Sequence, residues 1–166
     1  MNWQEVCEDK KLQQLPFKIE LNKWGQIVMS QATVIHSFYQ GRIQTLLESF
    51  LTTGIVMPEL VIETRDGVKV ADVVWVSDER ADIILDETAA SIAPEICIEV
   101  KSGSNTLDEM LEKKDWYFKV GAEEVWICDK KGDIYFYNHD SSIKYSLRVP
   151  DFPTQIKRNR NLQNGQ

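Results

Sequence analysis

Residues 94–102 read PEICIEVKS, and within them the run from Ile96 to Val100 puts apolar side chains on both alternating faces before a charge interrupts it. A strand of this kind has no face to give to water, so it must lie inside a sheet with further layers above and below. The run ends in Glu99 and Lys101, two residues apart. Side chains at that spacing point the same way, roughly 6.6 Å apart. Charge at the end of a buried strand has to be compensated. An ion pair at the strand end is one answer and a metal site is the other.

The surrounding pattern supplies the layers. Asn2 with Glu5 three positions on forms a capping box for an opening helix to about Leu15. FKIELN and IVMSQA around the turn KWGQ predict a β-hairpin. Ile35, Tyr39, Leu46 and Phe50 recur at helical spacing between Thr33 and Leu51, with Gly54 as the stop. Asp66-Gly67 between two β-rich runs predicts a second hairpin with both turn residues at positive φ. DERADIILDETAASIA reads as a surface loop with at most one helical turn. Asn105 or Thr106 caps a helix made amphipathic by Leu107, Met110, Leu111 and Phe118 and closed by Gly121. EVWICD, IYFYN and IKYSLRV predict three closing strands, and PTQIKRNRNLQNGQ a polar, flexible tail. The expected organisation is one domain over residues 1–152 with a tail over 153–166.

Composition narrows the function. A formal charge of −7 excludes affinity for nucleic acid through bulk positive charge, because phosphates are repelled at long range. A nucleic-acid partner would have to be held locally, by a pocket whose sign divalent cations reverse. Cys7, Cys97 and Cys128 are widely spaced and odd in number, so reduced thiols are expected. Two histidines and no C-x-x-C pair leave no zinc pattern. No membrane-length apolar run occurs, and MNWQEVCEDKK is acidic where a signal peptide is basic, which predicts a cytoplasmic protein.

The second candidate acid is Asp72, set into the apolar strand VKVADVVWV. If its strand neighbours that of Glu99, the two carboxylates converge. At about 4 Å they would repel by several kcal/mol at an effective dielectric near 20, so one would take up a proton unless a cation intervened. Mg²⁺ suits such oxygen donors. The plain alternative for Asp72 is a hairpin-end residue bonded to backbone amides.

Asp72 followed by Glu99-Val100-Lys101 resembles the PD-(D/E)XK nuclease signature. GQIVMSQA, VKVADVVW, IEVKSGSN and EKKDWYFKVGAEEVW further resemble the bacterial restriction-endonuclease-like family of that superfamily, a group of unknown function, over residues 21–137. Ala71 stands where the superfamily name has proline, a change in backbone rigidity that removes no ligand. The resemblance implies an α/β fold with a restriction-endonuclease-like core of αβββαβ order, a central mixed β-sheet flanked by helices, with the N-terminal helix and hairpin added. It implies a metal-dependent endonuclease acting on DNA. Asp72, Glu99 and the Val100 carbonyl would hold Mg²⁺ or Mn²⁺, and Lys101 would orient the attacking water. It also implies a homodimer. The rival is a silent nuclease-fold module that binds or regulates a partner.

Supporting residues are weighed the same way. Lys113 matches a family position beside Tyr117, whereas Lys114 falls inside the apolar stripe of its helix, where it either snorkels along the core edge or turns toward the site, and the sequence does not choose between those two roles. His36 and Gln40, one turn apart, are either phosphate or water contacts or a solvated helix edge. Glu63 is either an extra acid near the metal or a cross-strand partner. Trp126, Tyr135 and Tyr137 read as core and strand-face aromatics, and the basic group Lys157, Arg158 and Arg160 as a solvated tail.

Overall fold

The structure is a computed structural model describing residues 1–159. Its elements follow from local chemistry. Asn2 and Glu5 form the expected capping box on α1 (Trp3–Glu8). The opening helix breaks at Asp9, because that carboxylate accepts the Lys11 and Leu12 N–H groups and starts α2 (Lys10–Gln13). β1 (Lys18–Leu21) and β2 (Ile27–Ser30) form a separate two-stranded hairpin. Thr33 caps α3 (Val34–Phe50). β3 (Ile55–Thr64) and β4 (Gly67–Val76) pair antiparallel. Thr64 faces Gly67, so Arg65 and Asp66 are the middle residues of the turn, and only Gly67 takes a positive φ, 87°. A Cβ there would also lie 2.4 Å from the carbonyl oxygens of Leu21 and Asn22, so the β1–β2 hairpin docks only against glycine.

Ser77 caps α4 (Asp78–Ile84), which corrects the expected surface loop: this two-turn helix buries Ala81 and Ile84 and its Arg80 bonds the carbonyls of Ala93 and Gly121. β5 (Ile96–Val100) runs antiparallel to β4 and parallel to β6 (Glu124–Cys128). Every residue of β5 and of β6 is buried, as a strand apolar on both faces requires. Between them Thr106 and Glu109 close a capping box on α5 (Leu107–Lys119), and Gly121 follows it at positive φ. β7 (Ile134–Tyr137) and a two-residue β8 (Ser142–Ile143) complete a six-stranded mixed sheet ordered β3-β4-β5-β6-β7-β8. The last strand is shorter than IKYSLRV predicts because Glu124 takes the Ser146 hydroxyl and the Leu147 N–H, at 2.6 and 2.7 Å, and draws the chain off the ladder.

Two apolar layers cover the sheet. Tyr39, Ile43 and Leu47 of α3 pack on Val73, Ile98, Val100 and Trp126, and Tyr117 and Phe118 of α5 pack with α4 on Val74, Cys97 and Val125. Each fully buried aliphatic side chain contributes about 1.5–3 kcal/mol. Both helices are turned from the faces their apolar spacing predicts. On α3 the buried set is His36, Tyr39, Ile43 and Leu47, with Phe50 exposed. On α5 it is Met110, Lys113, Tyr117 and Phe118, with Leu107 exposed. In both cases a polar side chain is carried inward.

The tail also differs from expectation at its start. Ile134 donates to the Thr154 carbonyl, Ile156 donates to that of Gly132, and Ile156 is buried, so the segment from Pro153 to Ile156 is part of the domain. Arg160 lies outside the described residues. The three cysteines are unpaired, and among the described residues no helix is long and apolar enough to cross a membrane.

Candidate active site

The β4–β5 register aligns Trp75 with Ile96, Val74 with Cys97 and Val73 with Ile98. One step further along both strands stand Asp72 and Glu99, each 1% exposed. The ladder lapses there. Asp72 Oδ2 accepts the Val100 N–H at 2.7 Å. On the other side the β3–β4 pairing passes from Pro58–Val73 to Leu60–Ala71, and Glu59 between them adopts φ 50°. The β4–β5 ladder therefore ends at Asp72 while the β3–β4 register runs on past it, and Glu59 lines a small cavity with Asp72, Glu99, His36 and Lys18.

The two carboxylates meet at one cation, the Lys18 ammonium of β1, with Nζ 2.8 Å from Asp72 Oδ1 and 3.9 Å from Glu99 Oε2. A second ammonium, Lys113 of α5, lies 3.1 Å from Glu99 Oε1 and 2.6 Å from Glu20 Oε1. Tyr117 donates its hydroxyl to Glu99 Oε1 at 2.6 Å. His36 Nε2 lies 3.3 Å from Asp72 Oδ2, while its buried Nδ1 has no partner among the described residues. Glu20 also accepts the Val70 N–H, which fixes β1 to β4.

These surroundings divide the acids. Burial pushes the Asp72 carboxyl up, but the Lys18 charge and the His36 bond outweigh it and hold Asp72 well below the usual carboxylate range. Glu20 is lowered too, its burial overcome by Lys113 and Lys18. For Glu99 burial prevails over the pull of Lys113 and Lys18, with Asp72 and Glu20 adding repulsion, so its pKa is raised. Burial lowers the Lys18 pKa and the charges of Glu99, Asp72 and Glu20 more than reverse it. Burial and then the Glu99 charge push the Tyr117 hydroxyl far up, which keeps it a donor.

Of the residues singled out in the sequence, Asp72, Glu99, Lys113, Tyr117 and His36 come together, and the Val100 N–H joins them. Lys101 is half-buried and has no ion pair among the described residues. Gln40 is half-buried and outside the cluster. Glu63 is a correction: it faces Val68 across the hairpin, is exposed, and lines a different pocket near Met1 and Asp86. Lys114 pairs with Asp115 and covers the Phe118 and Tyr137 rings. Lys18, Glu20 and Glu59 were not anticipated. The signal for the first two lay in Lys18-Ile19-Glu20, where alternation puts both charges on one face of β1.

Among the described residues no group of three or more His, Cys, Asp or Glu side chains could hold a metal ion. The protein oxygens that converge are those of Asp72 and Glu99, and Mg²⁺ is usually held by one or two carboxylates with waters and phosphate oxygens completing its shell. Their hard oxygens fit that ion, and the ammonium lodged between them shows that the position already favours a cation.

A helix, three antiparallel strands, a helix and a parallel fourth strand make a mixed α/β sheet of nuclease-like fold. The chain belongs to the Uma2 family, described as "Putative restriction endonuclease", whose model matches residues 9–162. The fold is also that of a crystal structure from Anabaena variabilis, described as a putative nuclease of the DUF820 group. The two share 16% identity with a TM-score of 0.72 over 93% of this chain and 94% of that one. No curated protein matches the chain.

Proposed function

We propose that this chain is a divalent-metal-dependent endonuclease that hydrolyses phosphodiester bonds of DNA. The observation that carries the reading is the meeting of Asp72 and Glu99, both buried, at a single cation where the β4–β5 ladder ends. Asp72, Glu99 and the Val100 carbonyl would hold Mg²⁺ or Mn²⁺. When bound, that ion supplies Lewis acidity and a water made acidic enough to attack phosphorus near neutral pH. Tyr117 and Lys113 hold the Glu99 carboxylate in one orientation, and Val100 and His36 do the same for Asp72. Lys101, one residue beyond β5 and in no ion pair among the described residues, is left to meet the incoming water or the phosphate oxygens.

The alternative reading, a silent binding module, draws on the same cluster, because its lysines already neutralise most of the acid charge internally. Incubation with supercoiled and single-stranded DNA in Mg²⁺, Mn²⁺ or chelator, beside Glu99→Ala and Lys101→Ala, separates the two. Nicking that needs metal and is lost in both variants supports the enzyme. Metal binding without cleavage under any condition rejects it.

A further inference from the structure

The cavity that Asp72 and Glu99 share with Lys18, His36, Glu59 and Asn105 has a volume of about 20 Å³. Roughly 10–15 Å³ is needed for one water, so this space admits about one. A divalent ion with its own waters and a phosphate oxygen needs several times that. The obstruction is specific. Lys18 Nζ stands in salt-bridge contact with both acids, and an ammonium there excludes a metal both by volume and by charge.

Lys18 has a second place to go. It also lines a neighbouring cavity of about 290 Å³, whose walls carry four acids, Glu20, Asp66, Glu109 and Glu112, against two further lysines, Lys69 and Lys113. Three of those acids are engaged: Glu20 with Lys113, Asp66 with Lys69, and Glu109 with the α5 N-terminus. Glu112 is exposed and has no ion pair among the described residues. The backbone need not move for the ammonium to reach this side. β1 stays anchored through Glu20 on the Val70 N–H, through Lys69 on the Leu21 carbonyl, and through the close approach to Gly67.

We infer that Lys18 is a resident cation that occupies the metal position between Asp72 and Glu99 and swings into the adjoining acidic cavity when a divalent ion binds. The added N-terminal hairpin thus sets the affinity of the site for metal, since the competent arrangement is only the fraction of molecules in which Lys18 has left. This rests on the reading of Asp72 and Glu99 as the residues that hold metal.

Two measurements test it without relying on cleavage. Reductive methylation followed by mass spectrometry reads the accessibility of the Lys18 amine in the wild-type chain. Labelling of Lys18 should rise severalfold on saturation with Mg²⁺, while Lys18 stays protected in chelator. Calorimetric titration with Mn²⁺ reads affinity, and Lys18→Met should bind roughly tenfold tighter or more, because a positive charge a few ångströms from the ion is gone. Glu99→Gln reports whether the binding is at this site. If wild-type chain binds metal, Glu99→Gln does not, and Lys18 stays protected and Lys18→Met binds no tighter, the inference is overturned and the metal reading stands. If neither wild type nor Lys18→Met binds, both fall. Should Lys18→Met fail to fold, the labelling of the wild-type chain decides alone.

Discussion

Glu99→Gln should leave the metal-free protein as stable as the wild type or more so, while Asp72→Asn, one rung across the same pair of strands, should destabilise it strongly. Two ammonium groups, Lys18 and Lys113, face three carboxylates, Glu20, Asp72 and Glu99. Each lysine has one short partner, Lys18 with Asp72 at 2.8 Å and Lys113 with Glu20 at 2.6 Å. Glu99 receives only the longer second contacts, at 3.9 and 3.1 Å, together with the Tyr117 hydroxyl. It is the surplus charge, and its raised pKa follows. Glutamine keeps an oxygen for Tyr117 and Lys113 and removes the desolvated charge. Asparagine at 72 instead has one oxygen for two donors, the Lys18 ammonium and the Val100 N–H, and leaves the buried Lys18 charge without its short counter-ion.

Breaking one side of a buried ion pair costs about 3–5 kcal/mol, whereas removing the charge in excess of its counter-ions also removes the cost of desolvating it. For a chain of this length about 1 kcal/mol moves Tm by roughly 2–4 °C, so Asp72→Asn should melt about 6–20 °C below wild type. Circular dichroism melts in chelator at neutral pH read both variants, with the double variant closing the cycle. Equal falls in Tm for Glu99→Gln and Asp72→Asn would refute the assignment of Glu99 as the surplus acid.

Further outcomes are expected. Tyr117→Phe removes a hydrogen bond to a carboxylate and should cost about 1.5–3 kcal/mol in urea unfolding, with Glu99 titrating higher still by carboxyl NMR. Asp72 and Glu20 have folded pKa values below their ordinary ones, so their stabilisation is in place above about pH 4 and is lost as pH falls through the lowered values; Glu99, raised, contributes fully below the ordinary carboxyl range and loses that contribution as pH rises. The unfolding free energy in chelator should therefore drop on acidification below about pH 4, and Glu99→Gln should flatten its decline on the other side. Ile156→Ala should cost about 2–5 kcal/mol by chemical denaturation, which a freely moving tail would not do.

The strands were legible because their burial is decided by neighbouring residues in the chain. PEICIEVKS could only be interior, and the runs flanking Asp66-Gly67 could only be a hairpin. The gathering of Asp72, Glu99, Lys113 and Tyr117 was expected from the spacing of the signature they resemble, and Lys101 of the same set stands outside the cluster. Lys18 and Glu20 were not, because their role depends on where an added hairpin docks, and docking is fixed by contacts distant in sequence: Gly67 under Leu21 and Asn22, and Lys69 on the Leu21 carbonyl. The α4 helix and the packed segment around Ile156 escaped for a related reason. Their apolar residues are too few to show a period, and they are held by bonds between residues distant in sequence, such as Arg80 to Ala93 and Gly121 and Ile156 to Gly132.

The turned faces of α3 and α5 have a common cause. Apolar spacing alone would bury Phe50 and Leu107, yet both are exposed while His36 and Lys113 are inside. Each of these polar side chains contacts a carboxylate at the point where β4 and β5 part, His36 on Asp72 and Lys113 on Glu99. Buried acids left without such partners would cost several kcal/mol apiece, more than one aliphatic side chain gains by burial. The site therefore helps to set the rotation of the helices that enclose it. Substituting both acids by neutral isosteres should relax that constraint, so the faces of α3 and α5 report on the cluster as much as the cluster depends on them.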